Sequence, residues 1–435
     1  MKVSCLWAVG LIAIVSGMGS VCAAALDAPQ QPLHHPKSQL HLSTSHHAAH
    51  RSTAHSASSS ATHATGSAAH ASTSHAATAH RSTAAAPASG ARVRRASVTR
   101  RHRYYERFTA SSFVRGGIGG DDITAGEDPV VRQAAIDALG DMNGTAVVID
   151  PSNGRILALV NQKLALSPGA EPCSTIKLTV ALAALSEGLV TSDTMMQLPG
   201  FRMNMTQALA KSNNLYFEAL GRELGFERVR HYANQFGLGE LAGYNISGEQ
   251  LGAYPDRAIP ESEGGVGRMC SFGQGVSLTP LQLGAFVAAI ANGGTLYYLQ
   301  HPNTPDEVAA FEPRIKRTLD IARYVPSLED GMAGAVEYGT ARRLRANFRE
   351  LPVFGKTGTC SDSGTRFGWF ASYSESPQGG LVTVFFLEGG RPTFGPRAAE
   401  LTGEFYKNLW DRNYFAGKTQ QATATAPSES AQPVQ

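Results

Sequence analysis

Three short segments hold residues able to do chemistry. The first is Ser174-Thr175-Ile176-Lys177. A serine hydroxyl is a weak nucleophile until a base takes its proton. On a helix, residues three apart share a face, so Lys177 would lie one turn from Ser174. A lysine can act as that base when burial and nearby positive charge depress its pKa. The second segment is Ser212-Asn213-Asn214, and the third is Lys356-Thr357-Gly358-Thr359. Ser and Asn are ordinary loop residues. A strand with a bare glycine lets a ligand backbone approach closely. The blander alternatives are an N-cap serine with a surface lysine, a helix-breaking loop and a surface strand.

The elements around these segments favour chemistry. Ser174–Leu189 is apolar on all sides, with Lys177 its only basic residue, so it reads as a central buried helix. A lysine buried there requires a reason. Asp128-Pro129 predicts an N-cap for a helix over Val130–Leu139, closed by Gly140. Thr145–Asp150 and Arg155–Val160, joined by Pro151-Ser152-Asn153-Gly154, predict a β-hairpin. Further helices are expected at Met205–Lys211, Leu215–Leu224, Pro280–Ala291 and Pro396–Trp410, and strands at Val353–Thr359, Phe367–Tyr373 and Leu381–Leu387. A strand pair, a helical block, three strands and a helix imply an α/β domain. Its single antiparallel sheet would join both ends of the chain, flanked by helices and a helical subdomain.

Charge divides the 435 residues unequally. The net +3 hides eleven basic and two acidic residues in 1–112, against twenty-seven and thirty-three in the remainder. A nucleic-acid enzyme carries its basic surface on its folded part. Here that part is acidic, so nucleic acid is not an expected partner. Lys2, the apolar run Leu6–Val15 and the small residues before Ala25 read as an export signal at 1–25, with an uncleaved membrane anchor as the alternative. Residues 26–120 are dominated by Ala, Ser, Thr, His and Arg, with HRSTA at both His50–Ala54 and His80–Ala84. Such a segment buries too little to offset backbone entropy and is expected to be a disordered linker. Its arginines suit a solvated tether or contact with anionic membrane or wall polymer. The folded domain is expected at 121–418 and a disordered tail at 419–435. Three of the five cysteines (Cys173, Cys270, Cys360) fall outside the leader, which excludes a disulfide-built scaffold. No metal or cofactor is expected.

The three segments, in this order and on these elements, resemble the penicillin-binding protein transpeptidases, relatives of the serine β-lactamases. The resemblance spans about residues 121–415. It is supported by Thr145–Gly154, by Ser271-Phe272-Gly273-Gln274-Gly275 with Thr279-Pro280-Leu281-Gln282, and by Tyr338-Gly339-Thr340-Ala341. It implies a β-lactamase/transpeptidase-like fold and roles by position. Ser174 would be acylated, with Lys177 as its base. Ser212 would relay a proton, and Asn214 would bind the substrate amide. Lys356 would supply positive potential, and Thr357 and Thr359 would hold the substrate carboxylate on the strand that includes Gly358. Backbone N–H groups of Ser174 and Thr359 would form the oxyanion hole. Cys173 and Cys360 flank those two donors, so the resemblance also implies that they are neighbours able to form a disulfide; two buried free thiols are the alternative. Cys270 would be left over.

The implied activity is a peptidoglycan D,D-transpeptidase acting on D-Ala-D-Ala stem peptides and acylated by β-lactams, outside the cytoplasm (periplasm or outer face of the membrane). Only 38 residues separate Ser174 from Ser212, which predicts a trimmed helical subdomain. With a linker alone ahead of the domain and no glycosyltransferase domain, a minimal transpeptidase, a D,D-carboxypeptidase or a β-lactam-binding paralogue is expected. A class D-like β-lactamase is a further alternative, since Gly368-Trp369-Phe370 is similar to that class. Against it, Asn214 stands where class D has valine. Glu261 and Glu263 lie in a loop without the class A pattern around a deacylating glutamate. The non-enzymatic alternative is a β-lactam sensor or wall-binding module.

Overall fold

The structure is a computed structural model that describes residues 108–376 and 379–416. The leader at 1–25, the linker up to residue 107 and the tail from 419 lie outside the described residues.

Five antiparallel strands form the central sheet: β1 (Gly144–Ile149), β2 (Ile156–Val160), β3 (Val353–Asp362), β4 (Thr365–Ser374) and β5 (Leu381–Gly389), in the order β2-β1-β5-β4-β3. Gly144 pairs with Leu387, so among the described residues the first and last strands are joined at the middle of the sheet. β3 pairs with β4 in the register Thr359 to Gly368, and β4 is its one strand neighbour. Alternate side chains of a strand face opposite ways. Trp369 and Phe386 therefore enter one core, and Phe370 and Phe385 the other.

Helix α1 (Pro129–Leu139) starts where Asp128 Oδ1 accepts from the amides of Val130 (2.9 Å) and Val131 (3.1 Å). It covers one face of the sheet with the last helix. Between β2 and β3 come α2 (Lys177–Ser186), α3 (Met205–Lys211), α4 (Asn214–Leu224), α5 (Phe226–Gln235), α6 (Gly265–Phe272), α7 (Pro280–Ala291) and α8 (Val325–Glu337); α9 (Gly395–Asp411) closes the domain. Buried side chains of α2, α4 and α7 pack into the core on the opposite face of the sheet. A capping box between Thr279 and Gln282 starts α7, whose residues Pro280–Ile290 are all buried. Among the described residues no helix is long and apolar enough to cross a membrane.

Three expectations need correction. Order begins before residue 121. By Phe108–Phe113 the chain already packs on the domain, with Ser112 fully buried and Phe113 bridged to Met142. The helix from Ser174 begins as a 3-10 turn, Cys173–Ile176, and ends at Ser186 rather than Leu189. Helices α5, α6 and α8 were not anticipated, because glycines and polar residues interrupt their periodicity.

Candidate active site

Lys177 Nζ lies 2.8 Å from Ser174 Oγ, 2.6 Å from Asn214 Oδ1, 3.2 Å from Ser212 Oγ and 3.1 Å from the Ser212 carbonyl. The first two segments thus converge on one amine. Local structure explains the second. Ser212 ends α3 in the left-handed region, at φ +53. Asn213 then starts α4, its Oδ1 accepting from the Tyr216 amide at 2.9 Å. A helix stop followed at once by a helix start turns Ser212 and Asn214 toward the same point.

The third segment meets them through Lys356. Its Nζ donates to Ser212 Oγ at 2.8 Å and to the Thr357 carbonyl at 2.9 Å. Ser212 Oγ therefore touches both lysines. Both are wholly buried. Burial pushes the Lys356 amine down to about 7. Burial, then the Lys356 charge, holds Lys177 well below the usual lysine range, with Glu218 partly opposing. An amine so depressed has the lone pair that a general base needs at neutral pH.

Thr357 and Thr359 share the other face of β3. Thr357 Oγ1 lies 2.6 Å from Thr340 Oγ1, and Thr359 Oγ1 accepts from the Gly395 amide at 2.9 Å. Thr340 also donates its amide to the Ala210 carbonyl at 3.2 Å, linking β3 to the end of α3.

Gly358 has a close neighbour within the protein itself. A Cβ there would stand 2.8 Å from the Pro172 carbonyl and 3.2 Å from Thr175 Cγ2. One close approach it permits is that of the turn that carries Ser174. That turn is held to the sheet twice more. Trp369 Nε1 donates to the Glu171 carbonyl at 3.0 Å, and Cys173 is disulfide-bonded to Cys360 with Cα atoms 5.5 Å apart. Cys173 itself sits in the left-handed region at φ +53. Cys270 is a buried free thiol. Glu261 and Glu263 are exposed on a turn before α6. The far end of that helix, at Gly273, packs on Pro172.

The sequence segments thus gather in one place. Reading residues alone missed the Gly395 amide, which carries no side-chain signal. Thr340 and Trp369 lay in segments already noticed, without an assigned contact.

Comparison with known proteins agrees with this geometry. The family model for the penicillin binding protein transpeptidase domain matches residues 144–407. The penicillin-binding protein PbpB of Mycolicibacterium smegmatis is 26% identical over 275 residues, covering 52% of this chain and 42% of its own length. The peptidoglycan D,D-transpeptidase MrdA of Acinetobacter baumannii is 26% identical over 359 residues, covering 65% and 53%. The chain thus spans about half, or less, of these relatives. The fold is similar to that of Pseudomonas aeruginosa PBP2 in complex with WCK 5153, with a TM-score of 0.54 at 23% identity, over 66% of this chain and 77% of that one. With its family model matched over more than half of its length, the chain belongs to the penicillin-binding protein transpeptidase domain family.

Proposed function

We propose that the protein is a serine D,D-transpeptidase of peptidoglycan, acting on stem peptides that end in D-Ala-D-Ala and acylated by β-lactams. The observation that carries the reading is the convergence of Ser174, Ser212 and Asn214 on the buried Lys177 amine, all within 3.2 Å. Lys177 takes the Ser174 proton as Oγ attacks the carbonyl carbon of the D-Ala-D-Ala bond. The oxyanion sits between the backbone N–H groups of Ser174 and Thr359, a donor of this kind being worth about 2.7–4 kcal/mol. Collapse breaks the C–N bond, and the leaving amine takes a proton through Ser212 Oγ. Asn214 receives the substrate amide, and Thr357 and Thr359 the terminal carboxylate. The ester on Ser174 is then opened by an acceptor amine, reforming the serine hydroxyl. A β-lactam acylates the same oxygen by ring opening, and its amine stays attached.

Asn214 at 2.6 Å from Lys177 favours transpeptidation over class D-like hydrolysis, because it fills the position where class D has valine. The family implies action outside the cytoplasm. The leader expected at 1–25 and the basic linker would export the domain and hold it near anionic membrane or wall polymer. One experiment tests the reading. The full chain is treated with fluorescent penicillin and, separately, nitrocefin. Stoichiometric, lasting labelling at Ser174 with little nitrocefin turnover is expected. Rapid turnover would establish a β-lactamase instead. Labelling without release of D-Ala from a stem pentapeptide would mark a sensor.

A further inference from the structure

Thr359 is held from behind by a segment that the reaction scheme does not use. Its Oγ1 accepts from the amide of Gly395, the first residue of α9. Gly395 can reach it only because it lacks a side chain. A Cβ there would stand 2.6 Å from the Gly358 carbonyl and 2.9 Å from Thr357 Cβ. The chain reaching Gly395 is the connector 390–394, which follows β5. Its backbone at Phe394 lies against Gly368 of β4, where a Cβ would be 2.6 Å away.

The connector is fastened in turn by the start of the ordered chain. Ser112 Oγ donates to the Gly390 carbonyl at 3.1 Å and lies 3.1 Å from Thr393 Oγ1. Both hydroxyls are fully buried. The Thr109 amide donates to the Arg391 carbonyl at 2.7 Å. Gly389 and Gly390 admit this crossing, since a Cβ on either would collide with Ser111 or Thr109. The strap is tied to the sheet as well, the Asn143 amide donating to the Ser112 carbonyl at 2.7 Å.

We propose that Ser112 and Thr393 are positioning residues for the substrate carboxylate, acting through the connector and the Gly395 amide on the Thr359 hydroxyl. This rests on the reading of Thr359 as a carboxylate ligand. A hydroxyl that accepts from Gly395 keeps its own hydrogen free to donate to an incoming carboxylate. Loosening the connector frees that hydroxyl to turn and weakens its aim. The strap is also the point where the N-terminal region joins the domain, so the end of the linker is built into the ligand-binding edge.

The test compares a penicillin free acid with its methyl ester on the full-length protein. The ratio of their acylation rates isolates recognition of the carboxylate and does not depend on the active fraction. Ser112→Ala and Thr393→Val are each expected to lower that ratio about three- to tenfold, the size of one lost hydrogen bond. Ser112→Thr, which keeps the hydroxyl, is expected to restore it. An unchanged ratio in labelled, folded variants overturns the proposal and leaves the acyl-transfer reading intact. If both variants unfold, the pair serves stability alone and the proposal is also overturned. Absence of labelling in the wild type would instead sink the function on which the proposal rests.

Discussion

Lys177 and Lys356 meet on a single oxygen. Their amines lie 3.2 Å and 2.8 Å from Ser212 Oγ, and both side chains are excluded from water. Two ammonium groups so placed would repel strongly, so the pair favours a state with fewer than two protons. That property would let one amine act as a base while the other supplies positive potential.

Lys177→Met should separate chemistry from stability. Loss of a general base is expected to slow penicillin acylation by roughly 10²–10⁴. The thermal midpoint should rise, because a buried amine is replaced by an apolar chain of similar size. Stopped-flow labelling and calorimetry on the same preparation check both. A variant that is slow and also less stable would contradict the assignment.

Lys356→Met should move the pH profile of acylation. The Lys356 charge lowers the Lys177 pKa. Removing it raises that pKa, so the acid limb of the acylation rate shifts to higher pH. Stability gives an independent sign. Lys356 titrates near 7 when folded, against about 10.4 in an unfolded chain. Between those values the unfolded chain holds the proton and the native one does not. The lysine's cost is therefore full below about pH 7 and is relieved as pH rises toward 10. The stability of Lys356→Met relative to wild type should fall across that range, by at most about 1.4 kcal/mol per pH unit. Urea midpoints at pH 7, 8.5 and 10 measure it, and a constant difference would remove the assigned shift.

The bridge between Cys173 and Cys360 spans 187 residues of sequence. For a loop of that length the chain-entropy account gives about 5 kcal/mol, less any strain. Reduction should lower the thermal midpoint and slow acylation, since the bridge ties the residue before Ser174 to the residue after Thr359. The double variant Cys173→Ala, Cys360→Ala should match reduced wild type and ignore reductant. Peptide mapping that found two free thiols in exported protein would end the idea.

Gly358→Ala should act on the nucleophile rather than on the sheet. The added methyl would press on the Pro172 carbonyl at 2.8 Å, forcing the turn that carries Ser174 away from β3. A shift of about 1 Å can cost 10²-fold in rate. Acylation is expected to fall on that scale while circular dichroism stays unchanged. Wild-type rates in this variant would show that the turn yields freely.

Most of the site was legible because its residues are of unusual type for their elements. A lone lysine in an apolar helix announced Lys177, and the helix limits at 205–211 and 280–291 match because caps and periodicity agree there. Helix α8 was hidden by its own glycines. Gly331 and Gly334 lie against α3, where Cβ atoms would be 2.6 Å from Leu209 and 2.7 Å from the Tyr338 hydroxyl, with Ala210 Cβ at 3.0 Å. They read as breakers in sequence and serve as a packing surface in the fold. Gly358 is ambiguous in sequence for a similar reason: a bare position shows that something comes close, not what. The strap at 108–113 was invisible because its hold rests on backbone groups and one serine among many.

The pairing of Gly144 with Leu387 has a consequence for the order of events in a chain synthesised from its N-terminus. Until β5 has emerged, β1 lacks its central neighbour, and the segment bearing Lys356 has no partner strand until β4 follows it. Closing loops of this span is slow relative to forming local helices. Ser174 is therefore delivered well before the strand that completes its surroundings. Unfinished chains would hold Ser174 and Lys177 without the strand that supplies Lys356 and Thr359.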